Sequence, residues 1–218
     1  MRFGLIIVAF SRARAAVFER MRFALNEKNE AVVEFLKTRR STPVLQLAEP
    51  GPSRAELEEI LTIAARVPDH GKLAPWRFIV YAGTARAEVG EALAEITLAD
   101  DATASSERLK LERERLTRAP LVVGVISRAA VHPKIPEWEQ VMSAGAACYN
   151  LVAAANAFGY GATWLSEWYA FDERAFSALG VEAGERVAGF VHIGTRREAP
   201  FERVRPELAD VVTWRGDL

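Results

Sequence analysis

Several short groups of residues could do chemistry or hold a charged ligand. Arg39-Arg40-Ser41 offers two guanidiniums and a hydroxyl, a set that can grip a phosphate through charge-assisted hydrogen bonds. Cations at the end of a helix also meet its dipole favourably, and for the tripeptide by itself that is the plainer reading. Arg66 and His70 flank Pro68-Asp69, in a stretch that Gly71 and Pro75 mark as a loop. By itself, His70 reads as an ordinary loop histidine. Asn150 to Trp164 reads as an alanine-packed helix halted by glycine, followed by Trp164-Leu165-Ser166. Its Gly159-x-Gly161 follows a helix, whereas a dinucleotide fingerprint follows a strand and opens a helix. Arg203-Val204-Arg205-Pro206 is a further basic segment, which also reads as a surface loop. The histidines His132 and His192 and the single Cys148 show no convergent spacing, so no metal site is expected.

These groups need elements to position them. Val32, Phe35 and Leu36 share one face of a helix predicted over 31–40, which Pro43 keeps from continuing. Ser53-Arg54-Ala55-Glu56 is a capping box that opens a helix with Leu57, Ile60, Leu61 and Ala64 on its inner stripe. A strand is expected from Trp76 to Ala82, an amphipathic helix from Thr84 to Leu98, and a buried strand over Leu121 to Ser127. The charge-dense stretch Asp100 to Arg118 reads as a solvated helix supported by opposite charges three or four apart. Glu137 to Phe158 is a long helix, apolar on nearly every side, which belongs in the centre of a fold or in an interface. Gly159 is its expected stop. A short helix over Asp172 to Leu179 and a strand over Val187 to Gly194 complete an α+β domain.

The chain has 218 residues and is half hydrophobic, enough for one sizeable core. Lysine plus arginine is 28 against 29 for aspartate plus glutamate, so no basic excess points to nucleic acid. One cysteine cannot form an internal disulfide, which fits a reducing, cytoplasmic setting. The run Leu5 to Phe10 is too short to span a membrane; with the arginines that follow it, it could read as a targeting or membrane-surface element, but the apolar run precedes most of the charge and no membrane association is expected. Residues 1–29 read as an extension, either a start-site artefact or an additional arm, ahead of a domain over 30–218.

In their order along the chain, Arg39-Arg40-Ser41, Arg66-x-Pro68-Asp69-His70, Pro75-Trp76, Pro136-x-Trp138-Glu139-Gln140 and Gly159-Tyr160-Gly161-Ala162-Thr163-Trp164 resemble the FMN-dependent nitroreductase family. The likeness covers roughly Glu30 to Trp214 and is nearest a short, single-domain NAD(P)H branch. It implies a mostly antiparallel central sheet flanked by helices, in an intertwined homodimer with flavin at the interface. It also implies FMN as cofactor, NADH or NADPH as co-substrate, and a small electron-poor acceptor such as a nitro compound. A same-fold reductase of quinones or enones, or a non-catalytic flavin-binding module, is the alternative. No side chain need be catalytic, because the flavin carries the chemistry. By resemblance, Arg39, Arg40, Ser41, Arg203 and Arg205 serve the phosphate side. Arg66, His70, Trp164, Leu165 and Ser166 surround the ring, with the loop of Arg66 and His70 reaching the flavin bound mainly by the other subunit. Ala154, Ala155, Asn156, Ala157, Phe158 and Gly159 lie near nicotinamide or substrate. Related chains often carry arginine where this one has Leu165. Trp138 and Glu139 are assigned only to packing.

Overall fold

The structure, a computed structural model, describes residues 27–216. The proposed extension over 1–29 lies almost entirely outside them. Contacts divide the chain into two units, Met1–Thr38 and Arg39–Leu218. In the first, helix α1 spans Glu30–Thr38, with Val32 N donating to Asn29 Oδ1 at 3.2 Å and no buried residue.

In the second unit, five strands form one sheet: β1 (Leu47–Ala48), β2 (Trp76–Tyr81), β3 (Leu121–Ser127), β4 (Gly161–Leu165) and β5 (Arg186–Arg196). All pairings are antiparallel. β5 is the hub: it pairs with β3 and β4, and its end pairs with β1, while β2 lies beyond β3. β3 is buried along its whole length, as its uninterrupted apolar run requires. Its alternate side chains feed two cores. Leu121, Val123 and Val125 join Val191 and Ile193 beneath α2 (Arg54–Ala64) and α5 (Glu137–Ala157). Val122, Ile126 and Phe190 face α3 (Ala85–Asp100), α6 (Glu173–Leu179) and Tyr169. The result is an antiparallel sheet between two helical layers.

The capping box forms as written. Ser53 Oγ accepts from Glu56 N, and Glu56 Oε2 accepts from Ser53 N at 2.8 Å. Glu56 Oε2 also accepts from the Tyr160 phenol Oη at 3.0 Å, which ties the start of α2 to the end of α5. Gly159 takes φ +90, the left-handed backbone that ends α5.

One expectation is corrected. The stretch Asp100 to Arg118 is not one solvated helix. Only Ser106–Arg113 (α4) is helical beyond the end of α3, and Glu112 and Leu116 are fully buried. Glu112 is compensated by Arg115 at 2.8 Å and by the Trp168 indole at 3.0 Å, a pattern that looks solvated when only charge is counted. The sequence assigns no element to the segment after Gly159. Gly161–Leu165 is strand β4, in register with Gly194 to Phe190. Helix α5 buries one face within the chain and exposes Trp138, Val141, Met142 and Tyr149 on the other. A short helix α7 (Leu208–Val211) lies near the chain end.

Candidate functional site

Arg39, Arg40 and Ser41 lead directly to Thr42, whose amide donates to Ala162 O of β4 at 3.0 Å. The basic tripeptide is thereby fixed at the head of that strand. The Arg39 guanidinium stacks 5.2 Å from the centre of the Tyr149 ring on α5. Arg40 is largely buried, with its Nε donating to Phe201 O at 3.0 Å and lying 3.5 Å from Glu202 Oε1. Arg205 approaches the same Glu202 oxygen at 3.8 Å. The structure therefore brings Arg40 and Arg205 to a single anion, the Glu202 carboxylate. Arg203 is exposed, and its backbone amide donates to Glu202 Oε1 at 2.7 Å. Ser41 is exposed beside this group. A phosphate presents the same kind of acceptor oxygens as this carboxylate, so the donor set has the chemistry to hold a phosphate monoester.

β4 rises about 3.3 Å per residue, so Trp164 and Leu165 stand roughly 10–13 Å along the strand from Gly161. Trp164 is partly exposed, and its indole donates to Ala188 O at 3.2 Å. The ring crosses directly over Gly189, where any Cβ would overlap the indole nitrogen, so only glycine admits it. Leu165 is half-buried and Ser166 exposed.

Arg66 and His70 belong to the loop between α2 and β2. One edge of α5 holds this loop by polar contacts: Asn150 Nδ2 donates to Arg66 O at 3.4 Å, Ser143 Oγ to Pro68 O at 2.7 Å, and Trp76 Nε1 to Ser143 Oγ at 3.1 Å. Asp69 caps the loop from within, accepting from Leu73 N at 3.0 Å and Ala74 N at 2.9 Å. His70 Nδ1 lies 2.7 Å from Glu139 Oε2. A hollow of about 360 Å³ opens here, lined by Pro68, His70, Trp138, Glu139, Met142, Ser143 and Ala146. Glu139, assigned in sequence only to packing, is thus the partner of His70. The Pro-x-Trp-Glu-Gln segment carried that signal without showing which residue it would meet.

Of the residues expected near nicotinamide or substrate, Ala154 and Ala155 are buried in the core, and Asn156 is buried too. Asn156 Nδ2 donates to Tyr160 O at 3.1 Å, while its Oδ1 has no partner. Ala157, Phe158 and Gly159 form the accessible end of α5. Arg196 was missed in the sequence. It donates to Thr42 Oγ1 at 3.2 Å and to Gly159 O at 3.3 Å, joining the tripeptide to that helix end, and burial lowers its affinity for its proton. Glu202, between arginines that were themselves singled out, was missed as well. Among the described residues there is no cluster of histidine, cysteine, aspartate or glutamate able to hold a metal ion, and no helix long and apolar enough to cross a membrane.

A family model described as the Nitroreductase family matches residues 36–195. The Escherichia coli (strain K12) protein named "Putative NAD(P)H nitroreductase YdjA" is 34% identical over 163 residues, covering 75% of this chain and 87% of the relative. A Haemophilus influenzae protein named "Putative NAD(P)H nitroreductase" is 34% identical over 183 residues, covering 82% of this chain and 96% of its own. In fold, the chain resembles a nitroreductase-like family protein from Bacillus cereus, with TM-score 0.71 and 22% identity over 86% of this chain and 97% of the other. It also resembles a nitroreductase with bound FMN from Bacteroides fragilis, with TM-score 0.63 and 23% identity over 87% of this chain and all (100%) of the other.

Proposed function

The chain belongs to the nitroreductase family, and from that premise we propose that it is an FMN-dependent oxidoreductase that passes hydride from NADH or NADPH to an electron-poor small molecule such as a nitro compound. The observation that carries this reading is the convergence of Arg40 and Arg205 on one carboxylate, beside Arg39, at the head of the strand that ends in Trp164 and Leu165. The names of the relatives agree with it, and so does the FMN in the Bacteroides fragilis structure.

Arg39, Arg40, Ser41, Arg203 and Arg205 hold the phosphate, with Glu202 displaced from the two guanidiniums it now meets. Trp164, Leu165 and Ser166 flank the ring, and Arg66 and His70 approach it from the loop that Ser143 and Glu139 anchor. When bound, FMN supplies reversible two-electron chemistry that no side chain offers; the protein supplies binding, orientation and exclusion of water. Ala157, Phe158 and Gly159 form the rim that a nicotinamide or acceptor meets.

The functional unit is a homodimer built on the exposed face of α5. Trp138, Met142 and Tyr149 recur there at helical spacing, the kind of large apolar and aromatic anchors that interface cores favour. The single thiol suits a cytoplasmic setting. Anaerobic titration of the purified yellow protein with NADH and with NADPH tests the reading. The flavin absorbance should bleach with one or both and return on addition of a nitroaromatic acceptor. Protein that binds FMN but does not bleach with either nucleotide refutes the catalytic assignment.

A further inference from the structure

Glu167 adopts φ 60 and ψ 174, a backbone region that side-chain-bearing residues rarely occupy and that is almost reserved for glycine. Its position explains why the chain is forced there. Leu165, at the end of β4, pairs in register with Phe190 of β5. Four residues later, the Tyr169 ring packs on the ring of the same Phe190, with centroids 5.0 Å apart. The chain must therefore reverse around a single side chain within a few residues, and Glu167 takes the strained turn.

Two guanidiniums grip that residue. Arg115 reaches Glu167 Oε2 at 3.0 Å and Arg118 reaches Oε1 at 2.6 Å, with all three side chains more than three-quarters buried. The grip is itself braced. Arg118 Nε donates to Arg115 O at 2.8 Å, and Arg115 makes two further bonds to the buried Glu112 carboxylate, at 2.8 and 2.9 Å. Burial alone would raise the proton affinity of Glu112; the bonds from Arg115 and Trp168 outweigh it and hold the carboxylate below its ordinary range. The clamp thus joins the segment entering β3 to the segment leaving β4.

We propose that the Arg115–Glu167–Arg118 clamp is a positioning device that holds the end of β4 in a glycine-type turn and so presents Leu165 and Ser166 to the FMN ring. This rests on the FMN reading above and adds to it residues that lie behind the ring-contact segment. Ion pairing supplies here what glycine would supply by having no side chain: it stabilises a conformation that the residue would otherwise leave.

The test compares Glu167→Ala with Glu167→Gly. Both remove the same ion pairs, but only glycine tolerates the turn. FMN affinity is measured by fluorescence titration of apoprotein, and amide exchange of the Trp164–Glu167 segment by mass spectrometry without FMN. The alanine variant should lose about tenfold or more in FMN affinity, the scale set by one strained residue. Its segment should also exchange faster, while the glycine variant, which leaves the same two guanidiniums without their carboxylate, should lose clearly less in both measurements. Equal losses in the two variants would reduce the clamp to an ordinary structural ion pair and overturn the proposal. If the alanine variant does not fold, Arg118→Met and its combination with Glu167→Gly make the same comparison: the single variant should lose affinity and the double variant recover it. Failure of the wild-type protein to take up FMN overturns the functional reading and the presentation role with it, and the exchange comparison still decides whether the clamp holds the turn.

Discussion

Replacing Arg40 with alanine should weaken FMN binding while leaving the fold intact. The Arg40 side chain is only 17% exposed, so a phosphate bonded to it is partly shielded from water. Losing a hydrogen bond between charged groups costs about 1.5–3 kcal/mol, which is roughly a tenfold to hundredfold rise in the dissociation constant. Rescue by Arg39 is limited, because its guanidinium rests on the Tyr149 ring, a contact that contributes about 0.5–1 kcal/mol at such a site. Glu202 works in the opposite direction. Its carboxylate competes for Arg40 and Arg205, so Glu202→Gln should tighten FMN binding where Arg40→Ala weakens it. The assay is fluorescence titration of apoprotein with FMN, with circular dichroism as the fold control. Arg40 also fastens the chain at the main-chain carbonyl of Phe201, so amide exchange of the segment around Phe201 in Arg40→Ala serves as a control for its loosening. An unchanged dissociation constant in Arg40→Ala, with Arg39 intact or also replaced, would reduce the basic pair to a helix-end feature and refute the phosphate assignment.

Three other outcomes follow. Met142→Asp places a charge on the exposed apolar face of α5 and should shift the protein towards monomer in light scattering; a monomeric wild type at micromolar concentration would refute the interface. His192 is buried, and burial, reinforced by Arg118, lowers its pKa to about 4 from 6.5. The unfolded chain therefore binds a proton that the native state refuses between those values, so stability falls as pH drops from 7 to 5, by about 2 kcal/mol from this residue; urea melts of His192→Gln should show a correspondingly flatter dependence. Ser53→Ala removes the acceptor in the capping box and should lower stability by about 1 kcal/mol, read as a shift in the urea midpoint at unchanged slope.

What could be read in the sequence was what local chemistry fixes. The capping box at Ser53, the wholly apolar β3 and the stop at Gly159 each carry their cause within a few residues, and each forms as expected. What escaped depends on partners distant in sequence. β4 is a strand because β5 lies beside it, and five residues beginning with glycine do not announce that. Glu112 reads as a solvated charge until Trp168, 56 residues later, is seen to donate to it. The same holds at the candidate site. The arginines and His70 could be singled out by type and by family resemblance, but their carboxylate partners Glu202 and Glu139 are set by the fold. Three buried positions among the expected contacts, Ala154, Ala155 and Asn156, show the converse: helical spacing identifies a motif without saying which of its residues face inward.

The core beneath the sheet holds one more residue of practical use. Cys148 is the chain's only cysteine, fully buried on α5, and burial pushes its thiol up to about 12. A thiol so placed reacts with an alkylating reagent only when the packing around it opens. The protein therefore contains its own clock for the opening of this core. Its labelling rate under native conditions, measured with and without FMN, converts ligand binding into a change in opening frequency without any engineered probe.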